Sequence, residues 1–222
     1  AKHLLQDFPE VTKYTSKPTA LFSNTQIENP NLMLEGMPNY RSGVDGLRVS
    51  NSTKGGITFA ASTTQNGIHM ITVVLGVEAV DGDPYARFVA TSSLMNYVVR
   101  TFVSSIVVKE GDPYGKSKAT VMDGKSETVL AVAKKDFYIV EKQGSQAEPK
   151  IQFKSNQESF RAPVKSGTNL GKLHYTDPDK IGRGYLEDQE PTVDMVSGRT
   201  IEKSFFLKVW WNEFVRYVNE KL

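Results

Sequence analysis

The sequence predicts an α+β chain in three successive parts: antiparallel strands mixed with helices over residues 1–105, a β-rich sandwich over 106–198 and an amphipathic helix over 199–222. Three observations predict it. Two apolar runs meet at Asn66-Gly67, a pair that favours the positive φ angles of a hairpin and so joins adjacent antiparallel strands. Past Lys109 the chain breaks into short β-branched segments separated by Asp-Gly, Gly-Ser and Pro-containing turns, the texture of a small antiparallel sandwich or barrel. From about Thr200, bulky apolar residues recur at helical spacing to the last residue.

Length and composition bound the function. A chain of 222 residues, 39% apolar, buries a core in one large or two small domains, and 10% aromatic residues argue against disorder. Lys and Arg number 27 against 25 Asp and Glu, a net charge of +2 that gives no nucleic-acid face on charge alone, so no nucleic acid partner is expected. Without cysteine there is no disulfide framework, thiolate nucleophile or Cys-based zinc site. No apolar run approaches the ~20 residues that a membrane-spanning helix needs. The chain starts at Ala1 with no secretory signal pattern and is expected to be the downstream part of something longer.

In order, Ala1 to Val11 reads as the end of a helix running into an extended turn. The polar stretch Asn24 to Asn31 has the composition of a loop that leads up to a strand beginning at Val44. Ile57 to Ser62 and His69 to Val77 flank the Asn-Gly turn as strands, and Met70 to Gly76, nearly all apolar, predicts burial on both faces at a central position. Asp83-Pro84 marks a helix start, and Phe88, Val89, Ser92, Met95, Tyr97, Val99 and Phe102 carry a loosely helical pattern over 86–103. A boundary is expected near Ser105 to Lys109. Beyond it Val129 to Val132, Phe137 to Val140, Ile151 to Phe153, Leu170 to Tyr175 and Thr192 to Val196 read as strands.

In the terminal helix Leu207, Trp211, Phe214, Val215, Val218 and Leu222 share one face, which Phe206, Trp210 and Tyr217 widen, while Lys203, Lys208, Arg216 and Lys221 lie off its centre. Adjacent tryptophans with basic flanks suit the headgroup layer of a bilayer. The other reading is a helix docked on the sandwich. The excess of aromatics over what one packing face needs favours the membrane, with Phe206, Trp210, Trp211, Phe214 and Tyr217 as the contacts.

One motif carries chemistry. Val44-Asp45-Gly46-Leu47-Arg48-Val49-Ser50, followed by Gly55-Gly56-Ile57-Thr58-Phe59, resembles the third active-site motif of the penicillin-binding serine D-alanyl-D-alanine carboxypeptidases, where V-D-G-[IL] leads into K-T-G on an edge strand. Phe8-Pro9-Glu10-Val11, Asn29-Pro30-Asn31-Leu32-Met33-Leu34, Pro84-Tyr85-Ala86-Arg87-Phe88 and the terminal helix extend the likeness over essentially the whole chain, most closely to streptococcal members. The resemblance implies the C-terminal half of such an enzyme: the last part of a transpeptidase/β-lactamase-like domain, a β-rich accessory domain and a membrane-associating helix. It further implies a peptidoglycan stem peptide or β-lactam as partner, no cofactor and no metal. It implies peripheral attachment to the extracellular face of a bacterial membrane of Gram-positive type.

That family's reaction needs a serine in S-x-x-K as nucleophile, an S-x-N element and K-T-G. No serine here has a lysine three places on or an asparagine two places on, so no catalytic residue is assigned and the chain alone is expected to be inactive. The K-T-G positions read Arg48, Val49 and Ser50. Arginine keeps the positive charge and can grip a carboxylate in a fork. Valine loses the hydroxyl donor, and serine puts a side chain where glycine allows close approach. Arg48, Val49, Ser50 and Asn51 are therefore the candidate substrate contacts. A register placing Lys54-Gly55-Gly56 at the motif is the alternative.

Each feature also has a plain structural reading. Arg48 suits a solvated edge strand, and Asp45 suits the turn before it. His3, His69 and His174 have no metal-ligand spacing, while Asp81-Gly82-Asp83 and Asp177-Pro178-Asp179 read as turns. Two functions stand: part of a carboxypeptidase with an altered third motif, or a non-catalytic surface module that anchors or positions partners at the membrane or cell wall.

Overall fold

A computed structural model describes all residues except 79–82, 84, 178, 183, 186–188 and 222, and the side chains of 213, 216 and 219–221. The expected helix start at Asp83-Pro84 and the turns at 81–83 and 177–179 therefore lie partly outside the described residues. The chain divides into two units, Ala1–Ser104 and Ser105–Leu222.

The first unit opens with helix α1 (Lys2–Asp7), a 3₁₀ turn (Pro9–Val11) and helix α2 (Thr12–Thr15). The extended turn expected after α1 is instead helical: Pro9 starts the turn, where its missing N–H would have had no partner anyway. The expected loop is also corrected. Strands β1 (Thr19–Phe22) and β2 (Thr25–Glu28) pair as a hairpin around Ser23 and Asn24, whose φ angles are +46° and +66°. Two positive-φ residues match the twist of a two-residue hairpin, and Asn tolerates that region. Beyond it the Asn29 and Asn31 side chains hold the chain locally, Asn29 Nδ2 donating to the Thr15 and Lys17 carbonyls and Asn31 Oδ1 accepting from the Met33 N–H. Met33 and Leu34 are thereby delivered to the core.

Strands β3 (Val44–Ser52), β4 (Gly56–Gln65) and β5 (Ile68–Val77) form an antiparallel sheet in that order. Period-2 alternation puts Phe59, Ala61, Met70 and Val74 on one buried face. Helix α3 (Ala86–Thr101) packs there through Phe88, Thr91 and Met95 at i, i+3 and i+7, with the Phe59 and Phe88 rings edge-on at 5.4 Å. The expectation of a doubly buried, central β5 is corrected: β5 lies at the sheet edge, and Val73 and Leu75 are 50% and 74% exposed. Its apolar run alternates sides, and only one side meets α3. The helix also stops at Thr101, because Phe102 is already extended.

Strand β6 (Phe102–Val108) leads into the second unit. There β7 (Pro113–Met122), β8 (Thr128–Ala133), β9 (Phe137–Lys142), β10 (Lys150–Ser155), β11 (Phe160–Arg161), β12 (Asn169–Thr176) and β13 (Thr192–Ser197) follow. Six strands form one sheet in the order β10-β12-β13-β8-β7-β11, and β6 pairs with β9. Each of the five segments expected as strands lies inside one of these. Both sheets supply the core: Val129, Ala131, Leu170, Leu173 and Met195 from the large one, Val108, Phe137 and Ile139 from the small one. The last helix, α4 (Phe206–Lys221), begins about six residues later than the pattern suggested. Ile201 and Lys203 are taken into bridges with Val164 and Gly124, which commits that stretch to the sheet.

Tyr175 is nearly buried in this core. Burial first, then the charges of Asp177 and Glu141 and the Tyr185 phenol, push its phenol up to about 12. The folded form therefore keeps its proton where the unfolded chain has lost it. That stabilising contribution is whole below about pH 10 and disappears as pH rises toward 12. Chemical denaturation at stepped pH should show stability falling across that window, and Tyr175→Phe should flatten the fall.

Candidate functional site

The motif strand β3 is a free sheet edge, and a cleft of about 400 Å³ runs beside it. The cleft is walled by Tyr14 and Thr15 of α2, by Thr19, Ala20, Ile27 and Glu28 of the β1–β2 hairpin, and by Leu47, Arg48 and Val49 of β3, with Lys17, Asn29 and Pro30 between. Thr15 fixes one end: its hydroxyl donates to the Asp45 carbonyl at 2.7 Å. A Cβ on Gly46 would collide with that same hydroxyl, so this glycine is required for α2 to approach β3. The Ser50 carbonyl points inward, accepting from Thr58 Oγ1 at 3.2 Å. Strand alternation therefore turns the backbone polar groups of Leu47 and Val49 outward, unpaired, toward the cleft.

Of the four residues expected to bind substrate, the structure brings Arg48 and Val49 to the cleft and leaves Ser50 and Asn51 outside its lining. Arg48 is exposed and has no salt-bridge partner among the described residues. Val49 packs partly against the core of the unit, opposite Phe59, so its side chain serves the sheet. Ser50 and Asn51 are held by Arg87, a residue that enters the sequence reading only within the longer likeness around Pro84 to Phe88.

Arg87 on α3 is 5% exposed. Its Nη1 donates to the Ser50 carbonyl at 3.1 Å and the Thr58 carbonyl at 3.3 Å, and its Nη2 to Asn51 Oδ1. No carboxylate pairs with it among the described residues. Burial lowers its pKa from the ordinary arginine value, yet a guanidinium remains charged at any ordinary pH. The only signal available in the sequence is an arginine at the start of a helix that is otherwise apolar on that face. A second guanidinium, Arg41, likewise works structurally, donating to Asn96 Oδ1 at 2.8 Å and Gln65 Oε1 at 2.7 Å.

Among the described residues the hydroxyls that line the cleft are those of Tyr14, Thr15 and Thr19. Of the hydroxyls lining the cleft, that of Thr15 is already spent on Asp45. Elsewhere in the unit Ser62 Oγ lies 2.9 Å from His69 Nε2, but Ser62 is fully buried and no carboxylate orients the ring among the described residues, so the pair lacks what a hydrolytic triad requires. The residues expected at a membrane sit together on α4: Phe206, Trp210, Trp211, Phe214 and Tyr217 are 67, 60, 58, 48 and 63% exposed. The helix meets the sandwich by its polar side. Asn212 Nδ2 reaches Asp123 Oδ1 at 3.5 Å, and Lys208 Nζ lies 3.9 Å from Glu127.

Comparison with known proteins fits this architecture. Residues 102–203 match the family described as Penicillin-binding protein 5, C-terminal domain. The second unit is thus similar to that domain. The D-alanyl-D-alanine carboxypeptidase DacA of Haemophilus influenzae is 26% identical over 174 residues, covering 78% of this chain and 42% of that protein. Among solved structures, a peptidoglycan synthesis regulatory factor (PBP3) from Streptococcus pneumoniae is 42% identical with a TM-score of 0.86, over 90% of this chain and 55% of that one. Penicillin binding protein 5 from H. influenzae shares the fold, with a TM-score of 0.60 at 23% identity, over 90% and 54%. The chain is thus similar to the C-terminal half of the penicillin-binding D-alanyl-D-alanine carboxypeptidases, streptococcal members included, and spans about half the length of the relatives it matches.

Removing the Arg87 guanidinium takes one donor each from the Ser50 carbonyl, the Thr58 carbonyl and Asn51 Oδ1. Arg87→Ala should cost about 2–3 kcal/mol in urea unfolding of the first unit. Hydrogen exchange should quicken in β3 and β4 while the second unit is unchanged.

Proposed function

We propose that the chain is the downstream part of a D-alanyl-D-alanine carboxypeptidase acting on peptidoglycan stem peptides, in which the β3 edge and Arg48 bind the substrate and the reacting serine belongs to an upstream half. The 42% identity with the streptococcal protein over 90% of the chain supports this reading most strongly. The geometry agrees with it chemically. An extended peptide has unpaired backbone groups at Leu47 and Val49 to add to, and its terminal carboxylate finds Arg48 exposed, with the charge of Arg87 behind the Ser50–Asn51 end of the strand. Valine and serine at the two following positions supply neither the hydroxyl nor the bare backbone of the usual motif. Recognition of the carboxylate then rests on guanidinium charge.

The orientation of α4 favours peripheral attachment to the outer face of a bacterial membrane. Its tryptophans face away from the sandwich, and its polar residues hold it there. No helix among the described residues is long and apolar enough to cross a bilayer.

Two measurements test these readings. The chain, joined to the upstream half of the streptococcal relative, should release D-alanine from a pentapeptide ending in D-Ala-D-Ala. Arg48→Ala should raise KM by about tenfold or more, the loss of one charge-assisted contact, and Arg48→Lys should restore part of it. No release and no covalent labelling by penicillin would sink the carboxypeptidase reading. In vesicle co-sedimentation, the double change Trp210→Ala and Trp211→Ala should weaken partitioning by at least about tenfold, since each indole contributes on the order of 1.5–3 kcal/mol when buried. Equal soluble fractions for parent and variant would reject attachment through α4.

A further inference from the structure

The outward face of the large sheet in the second unit carries lysines in register across neighbouring strands. Lys154 of β10 stands directly opposite Lys172 of β12, Lys172 opposite Asp194 of β13, and Lys134, at the end of β8, donates its backbone N–H to the Asp194 carbonyl. These four positions form one row across four strands, with the buried residues Leu173, Val193 and Ala133 pointing to the other side. Neighbouring charges in such a row are about 5 Å apart. Beside it Lys134, Lys135, Lys172, Thr192 and Asp194 line a depression of about 400 Å³.

Like charges placed directly opposite across strands destabilise a sheet, so the pair Lys154–Lys172, and the excess of lysine over the single Asp194 in the row, need a reason. Defence of a sheet edge explains Lys154 on the outer strand β10. It does not explain Lys172, which belongs to the interior strand β12, or Lys134, which directly follows the interior strand β8. Asp194 lies 4.0 Å from Lys134, and Lys135, Lys154 and Lys172 have no salt-bridge partner among the described residues. Glu190, engaged by the Thr176 hydroxyl at 2.9 Å, is a further carboxylate near this face. His174, in the adjacent row, registers the field: burial and then the charges of Lys154 and Lys172 lower its pKa, against a weaker pull from Glu190.

We propose that this lysine row is a binding site for a linear polyanion carrying phosphate groups, laid across β10, β12, β13 and β8. Lysines are point charges that take phosphates without the fixed fork by which arginine selects carboxylates. A row of point charges on a flat sheet suits a repeating charge. The Thr192 hydroxyl adds a hydrogen-bond donor beside the depression. The row shares no residue with the β3 cleft or with the aromatic side of α4, and does not depend on either.

The test uses the whole chain and fluorescently labelled polyphosphate, followed by anisotropy across a salt series. Binding should weaken at least tenfold in the triple variant Lys134→Gln, Lys154→Gln and Lys172→Gln. The slope of log affinity against log salt should fall by about 2, the loss of three phosphate contacts. The triple variant should remain folded, with a thermal midpoint within a few degrees of the parent, because it relieves the Lys154–Lys172 repulsion while giving up the Lys134–Asp194 pair, worth at most about 1 kcal/mol at the surface. A charge-matched variant in the first unit, Lys2→Gln, Lys13→Gln and Arg100→Gln, should bind as the parent does. Equal weakening in both variants, no binding by the parent at 150 mM salt, or equal affinity for polyglutamate would overturn the proposal. So would a loss seen only with phosphatidylglycerol vesicles and not with polyphosphate, which would assign the row to lipid headgroups.

Discussion

A guanidinium with no carboxylate partner among the described residues, buried between a helix and two strands, is the constraint on which the first unit depends. Arg87 cannot give up its proton, and an unpaired charge at that depth would cost several kcal/mol. Its two Nη groups donate to two main-chain carbonyls and one side-chain amide, from Ser50, Thr58 and Asn51, while Nε is buried with no partner among the described residues. Those acceptors lie on β3 and β4, so one side chain ties α3 to both strands and sets where β3 ends. Thr15 and Gly46 fix the other end of the same strand through a hydroxyl and a close approach. Between these two anchors β3 is held as a straight, open edge, with Arg48 projecting from it.

This division of work separates charge that holds the fold from charge available to a ligand. Arg87 is committed to carbonyls, Arg41 to Asn96 and Gln65, and Arg48 to no carboxylate among the described residues. The exposed cation therefore sits beside backbone groups of Leu47 and Val49 with no partner among the described residues, an arrangement that suits the extended, anionic-ended ligand proposed above. Of the altered motif residues, Val49 lies against the core opposite Phe59. A threonine there would trade packing for a hydroxyl, so in this chain the position has been given to stability.

How much of this is legible in the sequence differs by region. The strands of the sandwich can be read because their β-branched runs are bounded by turn residues. β7 escapes such a reading because its buried positions are Ser117, Ala119 and Val121, a small-residue alternation with little hydropathic contrast. The β1–β2 hairpin escapes it because every residue of both strands is exposed, which removes the apolar signal and leaves only a Ser-Asn turn. The apolar run of β5 points to a central strand, since a sequence reports hydrophobicity and not which side has a partner. At the site, Arg48 is legible as the cation of a motif. Arg87 is not, because its role depends on carbonyls that come together only when the sheet has formed.

The same distinction between pattern and partner bears on α4. Its periodicity is plain, but a helical stripe of aromatics fits both a docked helix and one lying on a bilayer. Those alternatives differ in which side meets the sandwich. A helix that docked by its stripe would bury Trp210, Trp211 and Phe214, each contributing on the order of 1.5–3 kcal/mol. This one makes its contacts through Asn212 and Lys208, at 3.5 and 3.9 Å, each worth at most about 1 kcal/mol at the surface. The greater stabilisation, that of burying the rings, is thus left unused within the unit and remains available to an apolar phase outside it. Polar contact on one side with aromatic exposure on the other is the observation on which the proposed membrane-surface attachment of α4 rests, and that proposal would give α4 a reason to be rich in tryptophan that packing against the sandwich does not.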